Sequence, residues 1–359
     1  MTPEPNHPTP VEVSRLRLLL VKLKHIGDAL LLTPTVLAIR QKYPNAEIWV
    51  VVRAGTEGIL AGCSAIDRIL TVTPTKSDRR PFGSLWRDLR TWFVLRGRKF
   101  DYAFELTDGD RGRWLAGMSR ARARCVNVSF YRLSFWWKRW FNRLSSSPWT
   151  TGHRVKKDFD AVADFLPLSA EIPPLCFERS AAREPDLVRK LDNYAIVHPG
   201  TRWPRKQWPI AYWGQVGEAL LERVEKIVIS CGPDPEERAL AAKLIETWGA
   251  DRAVSVDGGL GWPDLAGMLF RARLFVGVDT AAMHLAAACQ CPVIAIFGDS
   301  VASQWRPWKA PHALIQPADL LSREKIEQIP SQEIIRRVTP DLVLKAIDSL
   351  IRPSIASAS

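Results

Sequence analysis

A short apolar run followed directly by an alanine-rich segment constrains the fold more than any other part of the chain. Residues 274–288 read LFVGVDTAAMHLAAA. The first five residues are typical of a strand buried on both faces, and the later alanines are strong helix formers. Asp279 and Thr280, between them, are of the types that cap helix N-termini. We therefore expect a strand that leads into a capped helix, the repeating unit of a parallel α/β sheet.

This junction is also a candidate binding site. Backbone N–H groups at a helix N-terminus converge, and the helix dipole favours an anion there. Thr280 and His284 are one turn apart and share a face of the predicted helix. An ordinary strand–helix junction with a buried histidine explains the same residues, so this stretch alone leaves both interpretations open.

The alternation of strand and helix continues through the rest of the chain. Before residue 170, apolar runs predict strands at 15–24, 47–52, 66–72, 102–106 and 123–128. A helix is predicted over 29–42, which Pro34 bends or begins. After residue 190, the predicted strands are 194–197, 225–230, 253–256, 274–278 and 293–297. Helices are predicted between them at 211–223, 235–247 and 263–270.

This pattern predicts two α/β domains. The length of 359 residues also exceeds that of one typical domain. We expect a flexible tail over 1–14, a first domain over 15–170, a linker region over 171–190 and a second domain over 191–335. A C-terminal helix within 336–352 is expected to pack back on the first domain. No apolar run approaches the roughly 18 residues of a membrane span.

Positive charge is concentrated in the first domain. The formal net charge is +12, and residues 76–157 hold 20 Lys and Arg against 6 Asp and Glu, together with seven tryptophans. Residues 131–141, YRLSFWWKRWF, interleave aromatic and basic side chains. This composition suits an anionic membrane surface or nucleic acid, and a packed helix with a solvated basic face is the plain alternative.

Polar residues follow several of the predicted strands, at the edge where parallel sheets bind ligands. Asp28 comes after the first strand, behind a glycine. A carboxylate there fits a general base that accepts a proton from a sugar hydroxyl, and it fits a helix cap equally well.

Two loops of the second domain carry similar residues. Thr201 and Lys206 lie in the basic loop HPGTRWPRKQWP after the 194–197 strand, which suits a diphosphate group or a solvated turn. Glu236 and Glu237 follow the 225–230 strand. Either carboxylate suits the hydroxyls of a ribose, and acids at the start of a helix are also favourable in themselves.

Several well-known signatures are absent from the sequence. It has no GxGxxG after the first strand, no GxxxxGK[ST], no HExxH and no GxSxG. The six cysteines are scattered, and Cys289 and Cys291 have no second pair to complete a zinc site. The sequence therefore argues against a dinucleotide oxidoreductase, a P-loop NTPase, a zincin and an α/β-hydrolase, and we expect no structural metal.

Three segments in this order resemble glycosyltransferase family 9, the heptosyltransferases of lipopolysaccharide core synthesis. They are KHIGDALLLTP, HPGTRWPRKQWPIAYW and GVDTAAMHLAAA, the last similar to the family's Asp-Thr/Ser-x-x-x-His-x-x-Ala-Ala signature. Within the family, ELTDGDRGR, CGPDPEER and QWRPW are most similar to the third, branch-adding heptosyltransferases.

The resemblance implies a GT-B fold of two Rossmann-like domains facing across a cleft, and an inverting reaction without a metal. The donor, ADP-L-glycero-D-manno-heptose, would bind the C-terminal domain. By matching positions, Asp28 is the expected base and Lys206 the lysine on the donor phosphates. The other expected donor-binding residues are Thr201, Asp279, Thr280, His284 and Glu236 or Glu237.

The acceptor implied by the resemblance is a heptose of the lipid A–core glycolipid, bound by the N-terminal domain. Arg111 and Arg113 are the candidate acceptor contacts. The location of this glycolipid implies an enzyme in the cytoplasm that is held peripherally at the inner membrane and has no nucleic-acid partner. Two alternatives stay open: a GT-B transferase with another nucleotide-sugar donor, and a basic protein that binds nucleic acid or membrane.

Overall fold

The structure, a computed structural model, describes residues 15–74, 82–129, 133–148, 152–317 and 322–351. The predicted tail, Lys76 and Trp149 lie outside the described residues, as do the first two residues of the 131–141 segment. Within the described ranges the strands form two parallel sheets of six strands each. None of the helices there is both long and apolar enough to cross a membrane.

The first sheet has the order β3-β2-β1-β4-β5-β6. Its strands are β1 (Arg17–Val21), β2 (Glu47–Arg53), β3 (Arg68–Val72), β4 (Tyr102–Glu105), β5 (Ala123–Asn127) and β6 (Arg143–Ser145). The helices of this half are α1 (Ile26–Leu30), α2 (Thr33–Lys42), α3 (Phe82–Arg98), α4 (Asp110–Met118), α5 (Phe135–Trp140) and α6 (Arg154–Ala163).

The second sheet has the order β12-β11-β10-β7-β8-β9. Its strands are β7 (Tyr194–His198), β8 (Lys226–Ile229), β9 (Ala253–Ser255), β10 (Leu274–Val278), β11 (Val293–Ile296) and β12 (His312–Ile315). The helices are α7 (Asp186–Arg189), α8 (Ile210–Leu221), α9 (Pro235–Trp248), α10 (Trp262–Arg271), α11 (Ala281–Ala288), α12 (Ala302–Trp305), α13 (Arg323–Glu327), α14 (Ser331–Ile334) and α15 (Pro340–Leu350).

Both sheets have the same connectivity. The first strand of each half lies between the second and the fourth, so β1 pairs with β2 and β4, and β7 pairs with β8 and β10. This is the doubly wound order, which leaves a crevice at the carboxyl ends of the two central strands. The predicted α/β class with two Rossmann-like domains is confirmed.

Two elements differ from the sequence-based expectation. The helix expected over 29–42 is two helices, α1 and α2, and Pro34 lies in the first turn of α2. Proline lacks the N–H that a continuous helix would need there. The C-terminal helix α15 packs on α8, β11 and β12 of the second domain, not back on the first domain. Its apolar face, Val343 and Ile347, is buried in the core of that domain.

The two domains share one continuous apolar cluster. It includes Ala29 and Leu30 of α1 together with Ala282 and Met283 of α11, all of them buried. Small side chains on both helices let them approach closely. The N-termini of α1 and α11 are therefore held beside each other, at the carboxyl edge of the strands, where parallel sheets generally bind ligands.

A buried ion pair fixes α6 against the end of β1. Lys22 follows β1, and its Nζ lies 2.8 Å and 2.6 Å from the two carboxylate oxygens of Asp158. Lys22 is 5% exposed and Asp158 1%. Burial alone would lower the pKa of Lys22, but the carboxylates of Asp158 and Asp28 outweigh it and raise that pKa. The lysine is thus charged, and its removal would leave a buried carboxylate alone.

Lys22→Met is expected to destabilise the protein by about 3–5 kcal/mol, because Asp158 loses its partner inside the core. Lys22→Met combined with Asp158→Leu should recover most of that loss, because no charge is then buried. Lys156→Met is the control: Lys156 forms an exposed pair with Asp160, and its loss should cost at most about 0.5 kcal/mol. Denaturant unfolding measures all three. Equal losses for Lys22→Met and Lys156→Met would contradict this account.

Candidate active site

Most of the candidate site residues predicted from the sequence lie in or just after the loops that follow β1, β7, β8 and β10. The two domains approach each other closely at Gly27, in α1. A Cβ atom at this position would lie 3.1 Å from Cδ2 of His284 and 3.7 Å from Cα of Ala281. A side chain here would press on the histidine ring of the other domain. Gly27 thus allows the first turn of α1 to rest on α11.

Asp28 lies in the first turn of α1, half-buried, next to this contact. Its Oδ2 accepts a hydrogen bond of 3.2 Å from the backbone N–H of His25. The N-cap of α1 is therefore His25, and Asp28 is the acidic residue of the capping box, not the N-cap itself. One carboxylate oxygen makes that bond, and no second hydrogen bond is recorded for the side chain among the described residues. The other carboxylate oxygen of Asp28 could still accept a proton, so this bond is compatible with a general base.

Lys206 and Asp279 join two loops of the second domain. Nζ of Lys206 lies 2.5 Å from Oδ2 of Asp279 and 3.5 Å from its carbonyl oxygen. The two side chains are 15% and 8% exposed. The pair stands at the N-terminus of α11, so the lysine charge and the helix dipole act at one place. An ammonium group has three donors and can hold Asp279 and a ligand together.

Two polar atoms of the α11 motif are buried without a partner among the described residues. They are Oγ1 of Thr280 and Nδ1 of His284. Thr280 has the backbone conformation of an N-cap, but its side chain makes no capping bond. A buried polar atom left unpaired costs about 1–3 kcal/mol, so such atoms usually pair with water or a ligand. Burial lowers the pKa of His284, against the pull of Asp279 and Asp28, and favours the neutral ring.

The loop after β7 is held by Thr201, whose buried hydroxyl oxygen accepts a 3.2 Å hydrogen bond from the backbone N–H of Trp203. This bond shapes the turn that carries Lys206.

The structure distinguishes the two glutamates after β8. Oε2 of Glu237 accepts a 2.7 Å hydrogen bond from the backbone N–H of Gly232. A Cβ atom on Gly200 would lie 2.6 Å from the same oxygen, so Glu237 fills the space between the β7 and β8 loops. Glu236 is exposed.

Arg111 and Arg113 are already engaged by other residues. The Arg111 guanidinium binds Asp88 of α3 at 2.7 Å and the carbonyl oxygen of Thr73. Arg113 pairs with Asp110, three residues earlier in α4, at 2.9 Å. The Arg111 pair joins α4 to α3, whereas the Arg113 pair lies within α4. The sequence did not suggest either contact.

A metal site is not evident in the described part of the chain. No cluster of three or more His, Cys, Asp or Glu side chains is placed there to hold an ion. None of the six cysteines, all within the described residues, forms a disulfide.

The family's sequence model, glycosyltransferase family 9 (heptosyltransferase), matches residues 89–327, more than half of the chain. The chain belongs to glycosyltransferase family 9. This result agrees with the three segments around Asp28, Lys206 and Asp279, of which the last two fall inside the match.

Relatives in the family cover nearly the whole chain. The lipopolysaccharide heptosyltransferase 3 of Escherichia coli is 27% identical over 344 residues, which is 93% of this chain and 98% of that protein. A family 9 glycosyl transferase of Veillonella parvula superposes with a TM-score of 0.77 at 18% identity, over 95% of this chain and 98% of that one.

A second solved structure is E. coli heptosyltransferase WaaC with ADP-2-deoxy-2-fluoro heptose. It superposes with a TM-score of 0.72 at 19% identity, over 93% of this chain and 99% of that one. The likeness to these structures confirms the expected GT-B fold of this family 9 protein.

Sequence reasoning missed Glu105, although it ends the central strand β4 and lies in the ELTD motif. Its carboxylate accepts backbone N–H groups of Thr107 at 2.8 Å and Asp108 at 3.2 Å, and the residue is 2% exposed. Burial, together with the nearby Asp108 carboxylate, raises the pKa of Glu105 to about 7. The burial of Glu105 could not be predicted from the sequence, because it depends on the packing of α4.

The raised pKa of Glu105 predicts a pH-dependent stability. Between pH 4.5 and about 7 the unfolded chain ionises this group and the native protein does not, so the free energy of unfolding falls as the pH rises. The expected loss is roughly 3 kcal/mol. Glu105→Gln should abolish this pH-dependent loss in the free energy of unfolding, as measured by denaturant titrations at a series of pH values. Glu225→Gln, at an exposed site, is the control. A Glu105→Gln profile identical to that of the unmodified protein would contradict the assignment.

Proposed function

We propose that the chain transfers L-glycero-D-manno-heptose, with inversion, from ADP-heptose to a heptose of the lipopolysaccharide inner core. Family membership and the full-length similarity to lipopolysaccharide heptosyltransferase 3 support this activity. The related WaaC was solved with an ADP-heptose analogue, which supports the donor. The observation that carries the proposal is the meeting of Asp28, from the first domain, with the α11 motif of the second.

The reaction is a single displacement at the anomeric carbon. Asp28 accepts the proton of an acceptor hydroxyl while the hydroxyl oxygen forms the new glycosidic bond. The bond from the anomeric carbon to the diphosphate oxygen breaks, and ADP leaves with the electron pair. Attack from the side opposite the leaving group inverts the configuration. A carboxylate positioned at the hydroxyl typically accelerates such a step by about 10²–10⁴-fold.

The negative charge that develops on the diphosphate falls near the N-terminus of α11. Lys206 supplies a positive charge there, and the hydroxyls of Thr201 and Thr280 supply donors. The unpaired Oγ1 of Thr280 supports a ligand at this place. Fixed donors of this kind stabilise the leaving group without rearrangement during the reaction. Glu237, between the β7 and β8 loops, is the better placed of the two glutamates for the ribose hydroxyls.

Asp28→Asn is expected to lower the transfer rate by about 10²–10⁴-fold, because the amide cannot accept the proton. The affinity for ADP, measured by calorimetry, should stay unchanged because the donor binds the other domain. Asp264→Asn is a matched control: Asp264 also caps its helix, accepting a 2.9 Å bond from the N–H of Gly261. Loss of both transfer and ADP binding in Asp28→Asn would assign Asp28 a structural role instead.

Lys206→Ala should lower the turnover number by about 10²–10³-fold, as expected for one fixed electrostatic donor. The control is Arg205→Ala, since Arg205 is the neighbouring residue and pairs with Asp299 at 2.8 Å. The assay is run with a chelator present. Turnover that persists under this condition supports a reaction that needs no free metal ion. Near-native turnover of Lys206→Ala would remove the lysine from this role.

The same proposal includes peripheral binding to the cytoplasmic face of the inner membrane, where the glycolipid acceptor resides. Exposed aromatic residues support it: Trp86 and Phe93 on α3 are 73% and 62% exposed, and Phe135 and Trp136 on α5 are 69% and 74% exposed. Basic residues lie among them, including Arg87, Arg90, Lys138 and Arg139. Aromatic rings and cations together suit an interface between anionic headgroups and acyl chains.

The double variant Phe135→Ser, Trp136→Ser should bind phosphatidylglycerol vesicles about tenfold or more weakly. The reason is that it lacks two aromatic rings that would be buried in the membrane interface. Vesicles of phosphatidylcholine should bind the unmodified protein less well. Leu187→Ser, at an exposed apolar residue of the second domain, is the control in sedimentation assays. Equal binding by all three proteins would contradict the assignment of this surface.

A further inference from the structure

Trp203 is a half-exposed aromatic residue in the loop that carries Lys206. It follows β7 and is 46% exposed. Its backbone N–H donates a 3.2 Å hydrogen bond to the hydroxyl oxygen of Thr201, and its carbonyl oxygen accepts one of 2.8 Å from the N–H of Lys206. The backbone that bears the indole is therefore tied to both residues that the proposed reaction places at the diphosphate.

The indole of Trp203 reaches the first domain. It meets the ring of His25 edge-on, with 6.5 Å between the ring centroids and 86° between the ring planes. His25 is the N-cap of α1, and its backbone N–H donates the 3.2 Å bond to Oδ2 of Asp28. Two contacts between the domains therefore involve the turn that carries Asp28: His25 against Trp203, and Gly27 against α11.

The ring contact differs from the contact at Gly27 because both of its side chains are accessible. His25 is exposed and Trp203 is half-exposed. An edge-on pair of rings contributes little beyond the apolar area that it buries. A sugar ring that enters the cleft can therefore separate the two side chains at small cost.

The proposed reaction requires that water be kept from the anomeric carbon. Water and a sugar hydroxyl are both oxygen nucleophiles, and the Asp28 carboxylate can accept a proton from either. Attack by water would form a bond from the water oxygen to the anomeric carbon and break the bond to the diphosphate. The products would be free heptose and ADP, with the water proton on Asp28. Closing a site and expelling water prevents such hydrolysis.

We propose that Trp203 and His25 shield the reaction centre from water, so that they determine the preference of the enzyme for an acceptor hydroxyl over water. This inference rests on the proposed function. Without an acceptor, the two rings stay in contact beside Asp28 and the bound donor remains intact. An acceptor sugar separates them and takes the place of the His25 ring against the indole. Trp203 thus determines specificity without taking part in any bond that forms or breaks.

The test measures hydrolysis and transfer in one reaction, as free heptose and as glycosylated acceptor formed from ADP-heptose. In Trp203→Ala, the ratio of hydrolysis to transfer should rise about tenfold, because the ring contact is lost. His25→Ala keeps the backbone N–H that binds Asp28 and should shift the ratio in the same direction. Trp203→Phe keeps an aromatic ring and should retain the ratio of the unmodified protein.

Trp114→Ala is the matched control. Trp114 is 50% exposed, and its ring packs on Trp137 and Trp140 of its own domain. Its loss should leave the ratio of hydrolysis to transfer unchanged. The affinity for ADP, measured by calorimetry, should be the same in all of these variants, because the hydrogen bonds that hold the loop of Thr201 and Lys206 are made by the backbone of residue 203.

An unchanged ratio in Trp203→Ala, with transfer retained, would overturn the shield and leave the proposed function standing. A higher KM for the acceptor without faster hydrolysis would also overturn it, and would make Trp203 an acceptor contact. Hydrolysis needs no acceptor, so faster hydrolysis by Trp203→Ala without any transfer would keep the shield and reject the proposed acceptor. The absence of both reactions in every variant would reject the proposed function and the shield with it.

Discussion

The contact between Gly27 and the ring of His284 is the constraint on which the site depends. It lets two helix N-termini from different domains touch, with a shared apolar cluster behind them. A larger residue at 27 would press on the ring of His284 and separate the two helix N-termini, where the proposed reaction brings acceptor and donor together. Asp28 follows directly in the chain, so its distance from the α11 motif is set by this packing. The absence of a side chain at Gly27 thus determines how close Asp28 comes to the α11 motif.

The two halves hold their functional residues by different means. In the first domain, the buried Lys22–Asp158 pair fastens α6 to the end of β1, below the turn that carries Asp28. In the second, the Lys206–Asp279 pair links the β7 and β10 loops at the switch point of the sheet. The first pair is enclosed and structural. The second is partly accessible, so Lys206 can also donate a hydrogen bond to a ligand. Beside it, Oγ1 of Thr280 and Nδ1 of His284 have no hydrogen-bond partner among the described residues.

Much of this arrangement could be predicted from the sequence, because each apolar run followed by a polar turn marks the carboxyl end of a strand. By that rule Asp28, Lys206, Asp279 and either Glu236 or Glu237 are expected at the carboxyl edges of the two sheets. It could not show contacts with partners distant in the chain. Arg111 is held by Asp88, and α15 packs on the second domain because its apolar face fits α8 and β11.

In the proposed mechanism, Asp28 faces the anomeric carbon of a donor held by the α11 motif. A crystal structure of the protein with ADP-2-deoxy-2-fluoro heptose tests it most directly. The account predicts the diphosphate within hydrogen-bond distance of Lys206 and Thr280. It also predicts the anomeric carbon roughly 6 Å from the Asp28 carboxylate, which leaves room for one acceptor hydroxyl between them. A donor bound away from α11, or a sugar directed away from Asp28, would contradict the account.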